Sequence, residues 1–306
     1  MVPRTRHLAR HVACVGRRLA HYGLGGSPIG RRAVASSRGA TTPMNIDIQL
    51  NPATERWESI RDGLLVAEDA GFGTGWVFDH FAGNVLRGST MIECFTLLGA
   101  MAAATTRIGL GTLVVNVANR NPGVMAVSAA SVQEISGGRL ILGLGAGAAP
   151  NTAWSAEHRA LGLYLEPTIA KRHQRLVSAL DEIDRMWDPA RDEALQWFER
   201  PDPRPPVIVG VNSESLARIA AERTDGINVR ASHDDLDAVL GAAIDARAHS
   251  PRAADPMIVS VWTHWDRALA DPDHPSRRRW AEIGVNRLVL VCPQPHDPVE
   301  VASFFG

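Results

Sequence analysis

The sequence predicts a (β/α)8 barrel over residues 44–306, and three observations carry that reading. Eight short apolar runs alternate with eight helical patterns from Met44 to the last residues. The runs lack polar alternation, as parallel strands buried on both faces require. The stretch is close to the roughly 250 residues of a typical single barrel. A doubly wound open sheet would need no eighth unit and usually carries a phosphate loop after its first strand. Here the first strand runs into Leu50-Asn51-Pro52 instead.

Taken in order, strand one is Ile46–Leu50. The helix after it places Trp57, Ile60, Leu64, Ala67 and Gly71 on one face, and Gly71 and Gly73 end it. Strand two is Gly75–Phe78, with a helix over Met91–Ala104. Strand three is Ile108–Asn116, and Pro122 suits the first turn of the third helix. Gly137-Gly138 close that helix and lead into strand four, Arg139–Gly145. A long helix spans about Glu166–Trp187, and a polar, proline-rich stretch follows over Asp188–Pro206. Strand five, Val207–Gly210, precedes the helix Glu214–Arg223. Strand six, Gly226–Arg230, precedes Leu236–Ala248. Strand seven, Met257–Thr263, precedes Ser276–Ile283, and strand eight, Arg287–Val291, precedes a short helix over Pro298–Phe305.

Composition narrows the function. The chain is 45% hydrophobic with a formal net charge of −1, and no run approaches a membrane span. Residues 1–43 hold eight Arg and no acid, so residues 44–306 carry 24 basic and 33 acidic residues, a net of −9. An acidic folded part argues against nucleic acid as a partner. Cys14, Cys94 and Cys292 are far apart and form no CxxC pair, which argues against disulfides and zinc and makes the reducing cytoplasm the default expectation. The lone lysine, Lys171, against 31 arginines reads as codon bias. Residues 1–43 lack periodicity and read as a disordered tail or a start assigned too early. Arg17-Arg18 and Arg31-Arg32 lack the apolar stretch of an export signal.

In this fold the reactive groups come from the strand C-termini and the loops after them. Strand two ends in Asp79-His80, a pair that can position an imidazole for proton transfer; the plainer alternative is a helix cap and a solvated histidine. Strand four ends in Gly143-Leu144-Gly145-Ala146-Gly147, whose spacing is not that of a dinucleotide fingerprint, and whose glycines let backbone approach a flat ring. Strand five ends in Gly210-Val211-Asn212-Ser213 just before a helix, an anion site in form, and Arg230 and Ser232 add a cation and a hydroxyl after strand six. The alternative is an ordinary cap and a surface arginine. His158, His173, His233 and His249 have no metal-ligand spacing and read as surface or core residues, and no metal is expected. Trp154, after strand four, is a candidate pocket wall.

These segments resemble the luciferase-like monooxygenase superfamily, in particular its deazaflavin-dependent members, over about residues 44–303. The likeness is carried by Ala67-Glu68-Asp69-Ala70-Gly71-Phe72 with Asp79-His80-Phe81, by Gly109-Leu110-Gly111-Thr112 through Arg120-Asn121-Pro122, by Ser136 to Gly147, and by Pro205 to Gly210 with Ala220, Asp225 and Gly226. The resemblance implies a luciferase-like barrel holding a planar tricyclic cofactor, coenzyme F420, with FMN as the alternative. It implies His80 as proton donor or acceptor with Asp79 as its orienter, and a bulge at Leu113-Val114 that props the ring, with Asn116 and Gly145 to Gly147 beside it. The cofactor phosphate would lie by Gly210 to Ser213 and Arg230 to Ser232. Two positions depart from the sugar-phosphate dehydrogenases of the family: Ala148 stands where they carry a glutamate, and Val211-Asn212 where they carry Gly-Gly. Substrate identity therefore does not carry over.

The expected activity is hydride transfer between F420 and a small organic substrate, with a homodimer and a separate cofactor reductase as conceivable partners. An FMN monooxygenase and a non-catalytic flavin-binding relative are the alternatives. A monooxygenase must shield an oxygen adduct, and the charged, proline-rich stretch Asp188–Pro206, long enough to serve as a lid, is poorly suited to that. Deleting residues 1–43 is expected to leave the melting temperature of the protein within a few degrees; loss of folding would show that the tail packs on the barrel.

Overall fold

The computed structural model describes residues 44–306; what the sequence suggests for residues 1–43 lies outside the described residues. The strands are β1 (Asn45–Gln49), β2 (Thr74–Val77), β3 (Gly109–Thr112), β4 (Val115–Asn116), β5 (Leu140–Gly145), β6 (Val207–Gly210), β7 (Gly226–Arg230), β8 (Ile258–His264) and β9 (Arg287–Val291). All pair in parallel, in the order β3-β2-β1-β9-β8-β7-β6-β5-β4. A further pairing of β3 with β5, Leu110 opposite Leu140, closes the sheet. Because β3 and β4 are two pieces of one strand, the result is the expected eight-stranded barrel. Closure leaves no strand edge unpaired among the described residues, so their open strand backbone lies at the two rims.

The helices between them are α1 (Trp57–Ala70), α2 (Cys94–Ala104), α3 (Pro122–Ser136), α4 (Ala156–Ala160), α5 (Ile169–Trp187), α6 (Glu214–Arg223), α7 (Leu236–Ala248), α8 (Pro275–Glu282) and α9 (Pro298–Ala302). Helix ends differ from the sequence expectation by the width of a cap. Glu93 accepts from Thr96 N and starts α2 at Cys94 rather than Met91. Thr168 does the same for α5, which begins at Ile169 rather than Glu166. Gly71, at φ 99°, ends α1 in the left-handed conformation that glycine adopts without a Cβ penalty. Among the described residues no helix is long and apolar enough to cross a membrane.

The main core lies between the strands and the helix ring, where residues such as Ile48, Leu98, Leu142, Leu180 and Val261 are buried. A second apolar cluster of Trp76, Leu113, Ile141, Ile208 and Val289 packs together with Val114 and Trp262. Toward the N-terminal rim Asp47 is fully buried. It accepts from Trp76 Nε1 at 2.8 Å and Arg287 Nη1 at 2.6 Å. Burial still pushes its carboxyl above the ordinary value.

Two sequence readings change. Strand three is not continuous: it breaks at Leu113-Val114, where the peptide is cis, and resumes as β4 paired to β5. The break turns Val114 toward two neighbouring strands, and a Cβ at Gly145 would lie 2.6 Å from Val114 Cγ2, one at Gly210 3.0 Å from Val114 Cγ1. Glycine is present there because Val114 fills the space. The second change concerns the proline-rich stretch 188–206. It joins α5 to β6, a helix to the start of a strand, and so lies on the N-terminal rim with Arg204, Pro205 and Pro206 around a separate hollow. It is no lid, and the argument about oxygen chemistry drawn from it falls away.

Gly145→Ala is expected to cost about 1–3 kcal/mol in denaturant unfolding, since the stiff valine side chain cannot yield freely. Adding Val114→Ala should recover most of that loss. Equal costs with and without Val114 would show that the clash does not govern.

Candidate active site

A cavity of about 750 Å³ opens at the C-terminal ends of the strands. The barrel supplies its floor from every side: Gln49 from β1, the segment after β2, Leu113 and Val114 at the strand break, Asn228 from β7, Trp262 from β8 and Val291 from β9. Twelve of the candidate residues meet there with Val114: Asp79 and His80, Leu113, Asn116, Gly145, Ala146 and Gly147, Gly210, Val211, Asn212, Ser213, and Arg230. Ser232 does not. It is exposed outside the lining, and its neighbour His233 takes its place, with Nε2 3.2 Å from Asn212 O.

His80 is held in a way the sequence did not suggest. Its Nδ1 lies 2.8 Å from Glu157 Oε1, and the ring is 20% exposed toward the cavity. Glu157 sits on α4, one turn of helix in the segment after β5, with its side chain 2% exposed. Its Oε2 accepts from Phe81 N at 2.7 Å and Ala82 N at 2.9 Å. Burial opposes the charge of Glu157, but the hydrogen bonds from His80, Ala82 and Phe81 outweigh it and hold the carboxyl below its ordinary value. Trp154 packs beside the imidazole with ring centroids 5.8 Å apart, which makes it the pocket wall expected of it.

Asp79 does not orient His80. Its carboxylate is fork-bound by Arg120, at 2.8 Å and 2.9 Å, and also accepts from Asn119 Nδ2 at 3.0 Å and Asn116 N at 2.9 Å. These partners hold the Asp79 carboxylate in the cavity wall, while His80 reaches Glu157 instead. Arg120 also reaches Glu93 at 3.0 Å and lies over the Phe95 ring. Burial works against its charge, and the Asp79 carboxylate more than offsets that. His158, beside Glu157, is buried with Nε2 2.7 Å from Asn119 Oδ1, and burial pushes its imidazole below the ordinary value. One chain of polar contacts thus runs from His80 through α4 to Asp79 and Arg120.

The far end of the cavity gathers a helix N-terminus and two arginines. Ser213 caps α6, accepting from Leu216 N, and leaves the first N–H groups of that helix without intrahelical partners. Arg230 from β7 and Arg172 and His173 from α5 line the same space. No carboxylate among the described residues forms an ion pair with Arg230 or Arg172. Sequence reasoning missed Gln49, Asn228, Trp262, Arg172, Arg120 and Glu157. Gln49 and Asn228 were legible as polar residues inside apolar strands, whereas α4 is too short to show periodicity.

A family profile described as luciferase-like monooxygenase matches residues 37–281. The chain belongs to the luciferase-like monooxygenase family. It is 27% identical over 260 residues to an F420-dependent glucose-6-phosphate dehydrogenase of Microbacterium testaceum, covering 78% of this chain and 72% of the relative. It is likewise 27% identical over 257 residues to a 5,10-methylenetetrahydromethanopterin reductase of Archaeoglobus fulgidus, covering 82% and 71%. Among solved structures, an F420-dependent secondary alcohol dehydrogenase in complex with an F420-acetone adduct superposes with a TM-score of 0.69 at 18% identity, over 86% of this chain and 97% of that one. This likeness in structure confirms the luciferase-like barrel predicted from the sequence.

With Arg120 removed, the buried Asp79 carboxylate loses its only cation among the described residues. Arg120→Met is expected to cost about 3–5 kcal/mol in urea unfolding, and the double variant with Asp79→Leu to recover much of it. A loss below about 1 kcal/mol would mean that water reaches Asp79.

Proposed function

We propose that the protein is an oxidoreductase that moves a hydride between coenzyme F420 and a small organic substrate at the barrel mouth, with His80 as its proton-transfer group. The observation that carries this reading is that one cavity joins an anchored imidazole at one end to a helix N-terminus flanked by Arg230 at the other. The relatives named for F420 chemistry support the cofactor.

The residues present fit such a group. Val114 and Leu113 form an apolar shelf beside the glycine backbone of Gly145 and Gly210, which suits a flat ring. The α6 N-terminus with Arg230 suits a phosphate, and Arg172 suits further negative charge; burial and Arg172 hold the His173 imidazole below its ordinary value. When bound, the deazaflavin supplies the hydride donor or acceptor. The chain's own residues orient it, exclude water with Phe78, Trp154, Trp262 and Val291, and hold or take the proton of the substrate at His80 Nε2. Ala148 and Val211-Asn212 leave the substrate of the sugar-phosphate relatives without support here. The buried free thiols of Cys94 and Cys292 are consistent with a cytoplasmic setting.

Titration with F420 and with FMN, followed by tryptophan fluorescence from Trp154 and Trp262, is expected to show tighter binding of F420. His80→Ala should lower turnover by about 10²–10⁴-fold with little change in cofactor affinity. Tighter FMN binding with oxygen uptake would make the protein a flavin monooxygenase, and binding of either cofactor without turnover a non-catalytic relative.

A further inference from the structure

A histidine that exchanges protons with a substrate must present the right nitrogen in both of its charge states. We propose that Glu157 is the positioning residue of this site, holding a proton on His80 Nδ1 throughout, so that Nε2 alone gains and loses the proton exchanged with substrate. This inference rests on the reading of His80 as the proton-transfer group.

The geometry leaves little freedom. Glu157 Oε2 is committed to two backbone donors, Phe81 N at 2.7 Å and Ala82 N at 2.9 Å, which cannot become acceptors. Oε1 is thereby turned to His80 Nδ1 at 2.8 Å. A carboxylate has only lone pairs to offer, so Nδ1 must carry the hydrogen. The neutral ring then shows a lone pair at Nε2, and the charged ring shows an N–H. For a hydroxyl substrate, the O–H bond breaks and its proton forms the N–H bond at Nε2. The O–H electron pair becomes the second carbon–oxygen bond as the C–H pair departs as hydride to the cofactor. Carbonyl reduction is the reverse. Neither direction requires the ring to flip or change tautomer.

The anchor also belongs to the cover of the site. Trp154 and α4 lie in the segment between β5 and α5, and the neighbouring His158 fixes the same turn to Asn119. The charged and titratable groups around His80 are Glu157 and His158 from α4, Asp79 from its own segment with its charge met by Arg120, and Arg172 and His173 across the cavity. Among the described residues only Glu157 is hydrogen-bonded to the ring.

Glu157→Gln reverses the arrangement at constant shape. The two backbone N–H groups retain the amide oxygen, the amide NH2 turns to Nδ1, and the neutral ring must then carry its proton on Nε2. In serine-protease triads the same carboxylate-to-amide exchange strands the histidine in the wrong tautomer and lowers kcat by about 10⁴.

The test is NMR of the cofactor-free protein with isotope-labelled histidine, His80→Ala providing the assignment. In the wild-type protein the neutral His80 should carry its proton on Nδ1. In Glu157→Gln it should carry it on Nε2. With F420 and a turned-over substrate, Glu157→Gln should lower kcat by about 10² or more with KM little changed. A wild-type tautomer with the proton on Nε2 overturns the inference and leaves the role of His80 standing; this measurement needs no variant of Glu157 to fold. The expected tautomer together with unchanged kcat in both variants overturns the role of His80, and the function assigned to Glu157 with it.

Discussion

A carboxylate taken out of water keeps its charge only where donors replace the water, and two such carboxylates organise the mouth of this barrel. Asp79 is met by one guanidinium, one amide and one backbone N–H. Glu157 is met by an imidazole and two backbone N–H groups. Each demand draws a different loop inward. Asp79 gathers the segment after β4, and Glu157 gathers the segment after β5. The loops that form the cavity are therefore ordered by electrostatics at least as much as by apolar packing.

The strand break at Leu113-Val114 answers a different requirement. A regular barrel strand would continue its alternation and leave the centre of the mouth to be filled by side chains from all eight strands. Here Val114 leans over Gly145 and Gly210, whose missing side chains make room for it. The outcome is a flat apolar shelf between an imidazole and a positive helix end. The same shape serves either of the planar cofactors the family resemblance allows, and the F420-dependent relatives favour the deazaflavin.

The barrel was legible because its signals are local and repeated. Strand runs, glycine stops and amphipathic faces each lie within a dozen residues, and small errors at the ends trace to capping side chains such as Glu93 and Thr168. The site was legible only in part. His80 and the glycine-rich strand ends stood where the fold requires chemistry. Asp79 invited a pairing with its sequence neighbour, but its carboxylate is taken by Arg120, Asn119 and Asn116 N. The lid expected over 188–206 failed for a topological reason: a connection from helix to strand cannot reach the C-terminal rim.

By itself the sequence determined the element order, the parallel sheet and the rim on which the chemistry would gather, because hydrophobic period and chain direction are properties of neighbouring residues. Only the tertiary structure decided which carboxylate meets which cation or imidazole. Glu157 lies 77 residues from His80, and Arg120 lies 41 from Asp79. Pairings at that separation are set by barrel closure, which brings β2, β4 and the segment after β5 side by side, and no local pattern records them.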